Sequence, residues 1–170
     1  KGWSVGAFII ADNFTYNYVN NHPRIMMRRG RYTNDPMVIA QQDNMVSINA
    51  ALQIDLTGQV AAEALGHIQF SGTGGATDYA YGADHSRGGR AMRCQISTAK
   101  KGTVSRIAPI LDPGSIVSVS RNLTDMVITE YGVAKLRQRT VKQRVENLIA
   151  VAHPDFRAEL RKDANKYMYF

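Results

Sequence analysis

"NMVSINAALQIDLTGQVAAEAL", residues 44–65, carries apolar side chains at alternating positions: Val46 and Ile48, then Leu52, Ile54 and Leu56. A period of two puts such side chains on one face of an extended strand. Thr57–Gly58 supplies the turn chemistry ahead of Val60, so this stretch predicts a β-hairpin and a sheet-containing domain.

Toward the N-terminus, Trp3 to Ile10 reads as a short buried strand. "DNFTYNYVNNHP" (12–23) predicts a short helix opened by Asp12 or Asn13 and stopped before Pro23. "IMMRRGRYTNDP" (25–36) reads as a strand followed by a turn at Asn34–Asp35–Pro36. Toward the C-terminus, "FSGTGGATDY" (70–79) is a glycine-rich loop leading into a short helix around Asp78 to Ala83. Four further strands are expected in "RAMRCQIST" (90–98), "VSRIAPIL" (104–111), "SIVSVS" (115–120) and "DMVITEYG" (125–132). The character of the chain then changes. Thr140 and Gln143 have capping-box spacing, with Val141, Val145, Leu148, Ile149 and Ala152 on one helical face. A last helix is expected from Pro154 past Leu160, anchored by Phe156. Short strands followed by a helical tail predict an α/β domain with a mixed sheet. Adjacent strands without long crossover helices argue against a pure βαβ array.

The 170 residues suffice for one domain with a real core. No apolar run approaches the roughly 20 residues needed to span a bilayer. A single Cys94 excludes an internal disulfide framework and fits a reducing compartment. The scattered histidines have no zinc spacing, so no metal is expected. A net charge of +7 suits either a solvated basic surface or a phosphate-bearing ligand; no nucleic-acid motif accompanies it. A chain opening inside a core element reads as a fragment.

The glycine cluster matches neither the dinucleotide fingerprint nor the Walker A spacing. One reading is a tight turn needing positive φ. The other is a wall without Cβ atoms, where backbone N–H groups approach a phosphate or a thioester oxygen. Lys100, in Lys100–Lys101–Gly102 at a strand end, is either an exposed turn lysine or a point charge for a phosphate. Glu63 and Glu130 lie in or beside apolar strands, where a carboxylate is either paired or functionally perturbed, and pairing is the expectation. Ser71, Ser86 and Cys94 lack a nucleophile-elbow sequence, and no histidine can be matched to them.

"NNHPRIMMRRGRYTNDP", "DNMVSINAALQIDLTGQVAAE", "FSGTGGATDY", "STAKKGTVSRIAP", "VITEYGVAKLR" and "VAHPDFR", in that order, span nearly the whole chain. Together they resemble the C-terminal part of the acetyl-CoA hydrolase/transferase family, nearest its 4-hydroxybutyrate CoA-transferase branch. The resemblance implies one domain over 1–170 with a mixed, mostly parallel sheet flanked by helices and a helical tail, of the NagB/RpiA/CoA transferase-like kind. It implies exchange of CoA between an acyl-CoA and a small carboxylic acid through a glutamyl-CoA thioester. The nucleophilic glutamate belongs to a Gly–Thr–Glu-like stretch upstream, absent here, so the isolated chain is expected to be inactive. By the same resemblance, Leu52, Ser71, Gly75 and Lys100 contact CoA. The Gly75 amide polarises the thioester and Asn34 lies near the acyl group. Coenzyme A or acyl-CoA is then a substrate, with no permanently bound cofactor. The implied partners are the N-terminal half of the same protein and further copies in a homo-oligomer. No nucleic acid or membrane partner is implied, and the location is cytoplasmic. Acyl-CoA hydrolysis and a non-catalytic CoA-binding module are the alternatives.

Overall fold

The computed structural model describes residues 2–167. First come β1 (Ser4–Gly6), α1 (Asn13–Val19), β2 (Ile25–Met27), α2 (Gly30–Thr33) and α3 (Pro36–Ala40). Then follow β3 (Val46–Asn49), β4 (Gln53–Asp55), β5 (Val60–Ala61), β6 (Ala64–Leu65), β7 (Ile68–Gln69) and α4 (Ala76–His85). After these lie β8 (Arg90–Cys94), β9 (Thr98–Ala99), β10 (Val104–Ser105) and β11 (Ile107–Ala108). The chain closes with β12 (Met126–Thr129), β13 (Gly132–Lys135), α5 (Val141–Val151) and α6 (Pro154–Lys166).

The main sheet has the order β13–β12–β8–β3. Strand β8 runs parallel to both β3 and β12, and only the β12–β13 hairpin is antiparallel. This is the mixed, mostly parallel sheet expected. Its covered face carries Ser47, Ala91, Arg93, Val127 and Ala134, all buried. Helices α4 and α5 lie against it: Arg93 reaches the Ala76 carbonyl, and the Thr129 hydroxyl donates to the Val151 carbonyl. Ile54, Leu56, Val60, Ile107, Leu148, Ile149 and Leu160 join Ala91, Val127 and Ala134 in one continuous core.

Local chemistry explains the boundaries. Asp12 caps α1 by accepting from the Thr15 amide at 2.8 Å. Thr140 and Gln143 close their capping box at α5. Pro154 occupies the first turn of α6, as expected. The predicted hairpin is present as β4–β5, with Gly58 at φ +98° in its turn. That turn is fixed by Asp55, a buried carboxylate that accepts from the Thr57 amide and hydroxyl and from Gln59. A buried charge is tolerated there because its lone pairs are filled.

Several expectations are corrected. The apolar run Trp3–Ile10 is not a buried strand: only Ser4–Gly6 is extended, and Phe8 and Ile10 are 75% and 87% exposed. Apolar composition states that a segment seeks cover, not that nearby residues supply it. Asn34–Asp35–Pro36 is not a turn between strands. Asn34 ends α2, while Asp35 caps α3 with Pro36 in its first turn. The same residue types serve both purposes, because each satisfies or removes an orphan donor. Strand β3 does not join the hairpin but leaves for the main sheet, burying Ser47 and exposing Ile48. "SIVSVS" forms no strand, only a bridge from Val119 to Val60.

Candidate functional site

Residues 71–77 form the wall of a cleft of about 250 Å³, closed on its other sides by Asn49, Ala50, Ala62, Glu63 and Ser118. The loop is held at both ends. Before it, the Phe70 and Ser71 amides both donate to the Glu63 carbonyl, at 2.8 and 3.3 Å. After it, the Thr77 hydroxyl donates to the Ser118 carbonyl. The Ser118 hydroxyl donates to Glu63 Oε1 at 3.3 Å and accepts from the Ala62 amide at 3.0 Å, tying the far wall to the same point.

Between those anchors the backbone is bare. Among the described residues, the amides of Gly72, Thr73, Gly74 and Gly75 donate no hydrogen bond. Gly75 starts α4 without a capping side chain, so the first-turn amides are also unspent by the helix itself. A backbone amide facing water retains its bonding capacity for an anion or a carbonyl oxygen.

The glycines are not there for left-handed backbone. Gly72, Gly74 and Gly75 all lie outside the positive-φ region, which removes the tight-turn explanation. A Cβ at Gly72 or Gly74 would meet nothing within 4 Å, leaving open space in front of the chain. Gly75 is constrained by close approach instead, since a Cβ there would stand 2.5 Å from Asn34 Nδ2 and 3.2 Å from Tyr79.

The structure therefore sets Asn34 against Gly75 and brings Ser71 and Gly75 to one cleft, while Asn34 itself is not among the lining residues. Asn34 is oriented by the Thr33 hydroxyl, which donates to its Oδ1 at 3.0 Å. Ser71 lines the cleft, its hydroxyl donating to the Gly72 carbonyl at 3.1 Å. Leu52 stands two residues beyond the lining residue Ala50, but its amide is already spent on the Ala61 carbonyl at 2.9 Å. Lys100 does not line the cleft; it is exposed in a 3₁₀ turn, Lys100–Gly102, with φ of +48°.

Both acids singled out in the sequence are paired. Glu130 accepts from the Ser97 amide at 2.9 Å and the Ser97 hydroxyl at 2.6 Å. Burial pushes its pKa up, but these bonds outweigh that effect and hold it below the usual carboxylate value. Glu63 takes the Ser118 bond at the cleft. Ser86 is engaged with Gln42 and Met45, a structural role. No cluster of three metal-ligating side chains occurs among the described residues. Nor, among them, is any helix long and apolar enough to cross a membrane. Sequence reasoning missed Ser118, whose segment reads as a strand and not as a clamp.

Comparison with known proteins gives this cleft a context. The acetyl-CoA hydrolase/transferase C-terminal domain matches residues 12–164. The chain is 48% identical, over 97% of its length, to the succinyl-CoA:cyclohexane-1-carboxylate CoA transferase of Geobacter metallireducens. It is 47% identical, over the same share, to the 4-hydroxybutyrate coenzyme A transferase of Clostridium kluyveri. It spans 38% of the length of each of these two relatives. Among solved structures, RipA from Yersinia pestis superposes with a TM-score of 0.92 at 44% identity, covering 99% of this chain and 38% of that one. With a family model spanning most of the sequence and relatives near half identity, this chain belongs to the acetyl-CoA hydrolase/transferase family, as its C-terminal domain.

Proposed function

We propose that the whole protein containing this chain is a CoA-transferase moving CoA from an acyl-CoA to a free carboxylate, and that the 71–77 loop receives the thioester end. The observation carrying this reading is the run of unspent amides at Gly72–Gly75 on the wall of a small cleft. A volume of about 250 Å³ is below the roughly 300–1,000 Å³ that encloses a whole drug-sized ligand. It suits an acyl-thioester group, with the nucleotide end of CoA outside. The Gly75 amide is the donor for the oxygen on which negative charge develops, and Asn34 beside it faces the acyl group. Donors fixed in place before the reaction need no reorganisation as that charge appears. Lys100, away from the cleft, serves the phosphates.

The attacking carboxylate is a glutamate on polypeptide outside this chain, and the reaction passes through a glutamyl-CoA thioester. This divides one exchange into two easier steps. The residues that relatives carry beyond this chain's span then cover the open sheet face and the exposed side chains Trp3, Phe8 and Ile10. Lacking them, the isolated chain is inactive. The protein works in the cytoplasm as a homo-oligomer.

The test is an exchange assay on the whole protein, with acetyl-CoA and butyrate. Formation of butyryl-CoA and acetate in equal amounts supports transfer. CoA released at the same rate with or without butyrate identifies a hydrolase. Binding of CoA with neither reaction identifies a non-catalytic module.

A further inference from the structure

Arg93, on β8, is completely buried, yet it makes no ion pair among the described residues. Its Nη2 donates to the carbonyl of Ala76, the first residue of α4, at 3.2 Å. Its Nε and Nη1 have no partner. Asn49, its register partner on β3, and Ala76 both line the cleft. The guanidinium thus stands directly behind the cleft wall.

This placement breaks two rules of stability. An unpaired buried charge is costly, and replacing such a group by an apolar one of similar size is often neutral or stabilising. A cation near a helix N-terminus also opposes the helix dipole. Burial pulls the Arg93 pKa down to about 10, against a raising influence of Cys94. The group nevertheless remains cationic at neutral pH. What the core loses by this arrangement, an anion in the cleft gains. A cation on the Ala76 carbonyl polarises the Ala76–Thr77 peptide, making the Thr77 N–H a stronger donor. Thr77 lines the cleft as well.

We infer that Arg93 is a positioning residue whose buried charge, passed through the Ala76–Thr77 peptide, makes the 72–77 wall a site for a carboxylate. This rests on the functional reading above and names the ligand class at that wall: the free acid that accepts CoA. Arg93 itself touches no substrate.

The experiment uses the whole protein, with Arg93→Met and Arg93→Lys, and acetate as the probe followed by ligand-observed NMR. Arg93→Met is expected to fold, with Tm equal to or above the wild type, and to bind acetate about tenfold more weakly, about 1.4 kcal/mol. Arg93→Lys is expected to stay within about threefold of the wild type, since it retains the charge and one donor. Arg93→Met binding acetate as well as the wild type overturns the inference. So does a Met variant that cannot fold, or a Lys variant as impaired as Met, because either makes the role structural. A wild type that binds no acetate overturns it too. A wild type that binds acetate in this Arg93-dependent way but exchanges no CoA sinks the proposed reaction, and with it the acceptor role of the acid, and leaves the Arg93-dependent carboxylate site standing.

Discussion

Helix α5 opens on a closed capping box and buries Val145, Leu148 and Ile149, whereas α4 opens on Gly75 with no capping side chain and an unpaired cation behind its first turn. Both helices pack on the same face of the same sheet. At α5 each local feature serves folding: the orphan amides are capped and the apolar stripe faces the core. At α4 the orphan amides are left for something else, and the charge beneath them favours an anion. Places where a sequence departs from the rules of stability are where function is to be sought.

The contrast can be broken by substitutions at each helix. Leu148→Ala, in the centre of the α5 contact, should cost about 2–5 kcal/mol of stability in chemical denaturation. Its turnover per folded molecule should not change; a large kinetic defect would mean that α5 also belongs to the site. Gly75→Val should do the reverse. Its side chain displaces Asn34 and shifts the amide, lowering kcat of the whole protein by about 100- to 1,000-fold, while the secondary structure seen by circular dichroism persists. Unchanged kinetics would remove the loop from the reaction.

Smaller effects sharpen the same comparison. Thr140→Ala opens the capping box and should cost about 1 kcal/mol of stability. Lys100→Ala should weaken CoA binding by about 1 kcal/mol or less at low salt, and by less as salt screens the charge. An unchanged affinity at low salt would show that Lys100 is only a turn residue. Ser97→Ala concerns acid stability. Because the Glu130 pKa is held down in the folded protein, its stabilising contribution is present above the unfolded value and lost as pH falls through the folded one. Removing the Ser97 hydroxyl should therefore move acid unfolding to a higher pH, followed by fluorescence.

How much of this was legible in the sequence depended on the range of the interactions involved. The capping box at Thr140 and the turn at Gly58 were readable because each is decided within a few residues. The fate of Val46 and Ile48 was not, since their side of the sheet has no cover among the described residues. The glycine loop was found by composition, but its reason was legible only in three dimensions: close approach of Asn34 at Gly75, and not positive φ. Ser118 and Arg93 carry no local signal. One bonds residues 41 to 56 positions away, and the other is a charged residue on the buried face of a strand, whose meaning depends on which helix lies above it.

The most direct measurement is a crystal structure of the whole protein with a non-reactive acyl-CoA analogue in which the thioester carbonyl is retained. That carbonyl oxygen should lie within about 2.7–3.2 Å of the Gly75 amide nitrogen, with Asn34 beside the acyl group. An acyl end lodged elsewhere, with the Gly72–Gly75 amides bonded to their own polypeptide, would contradict this placement.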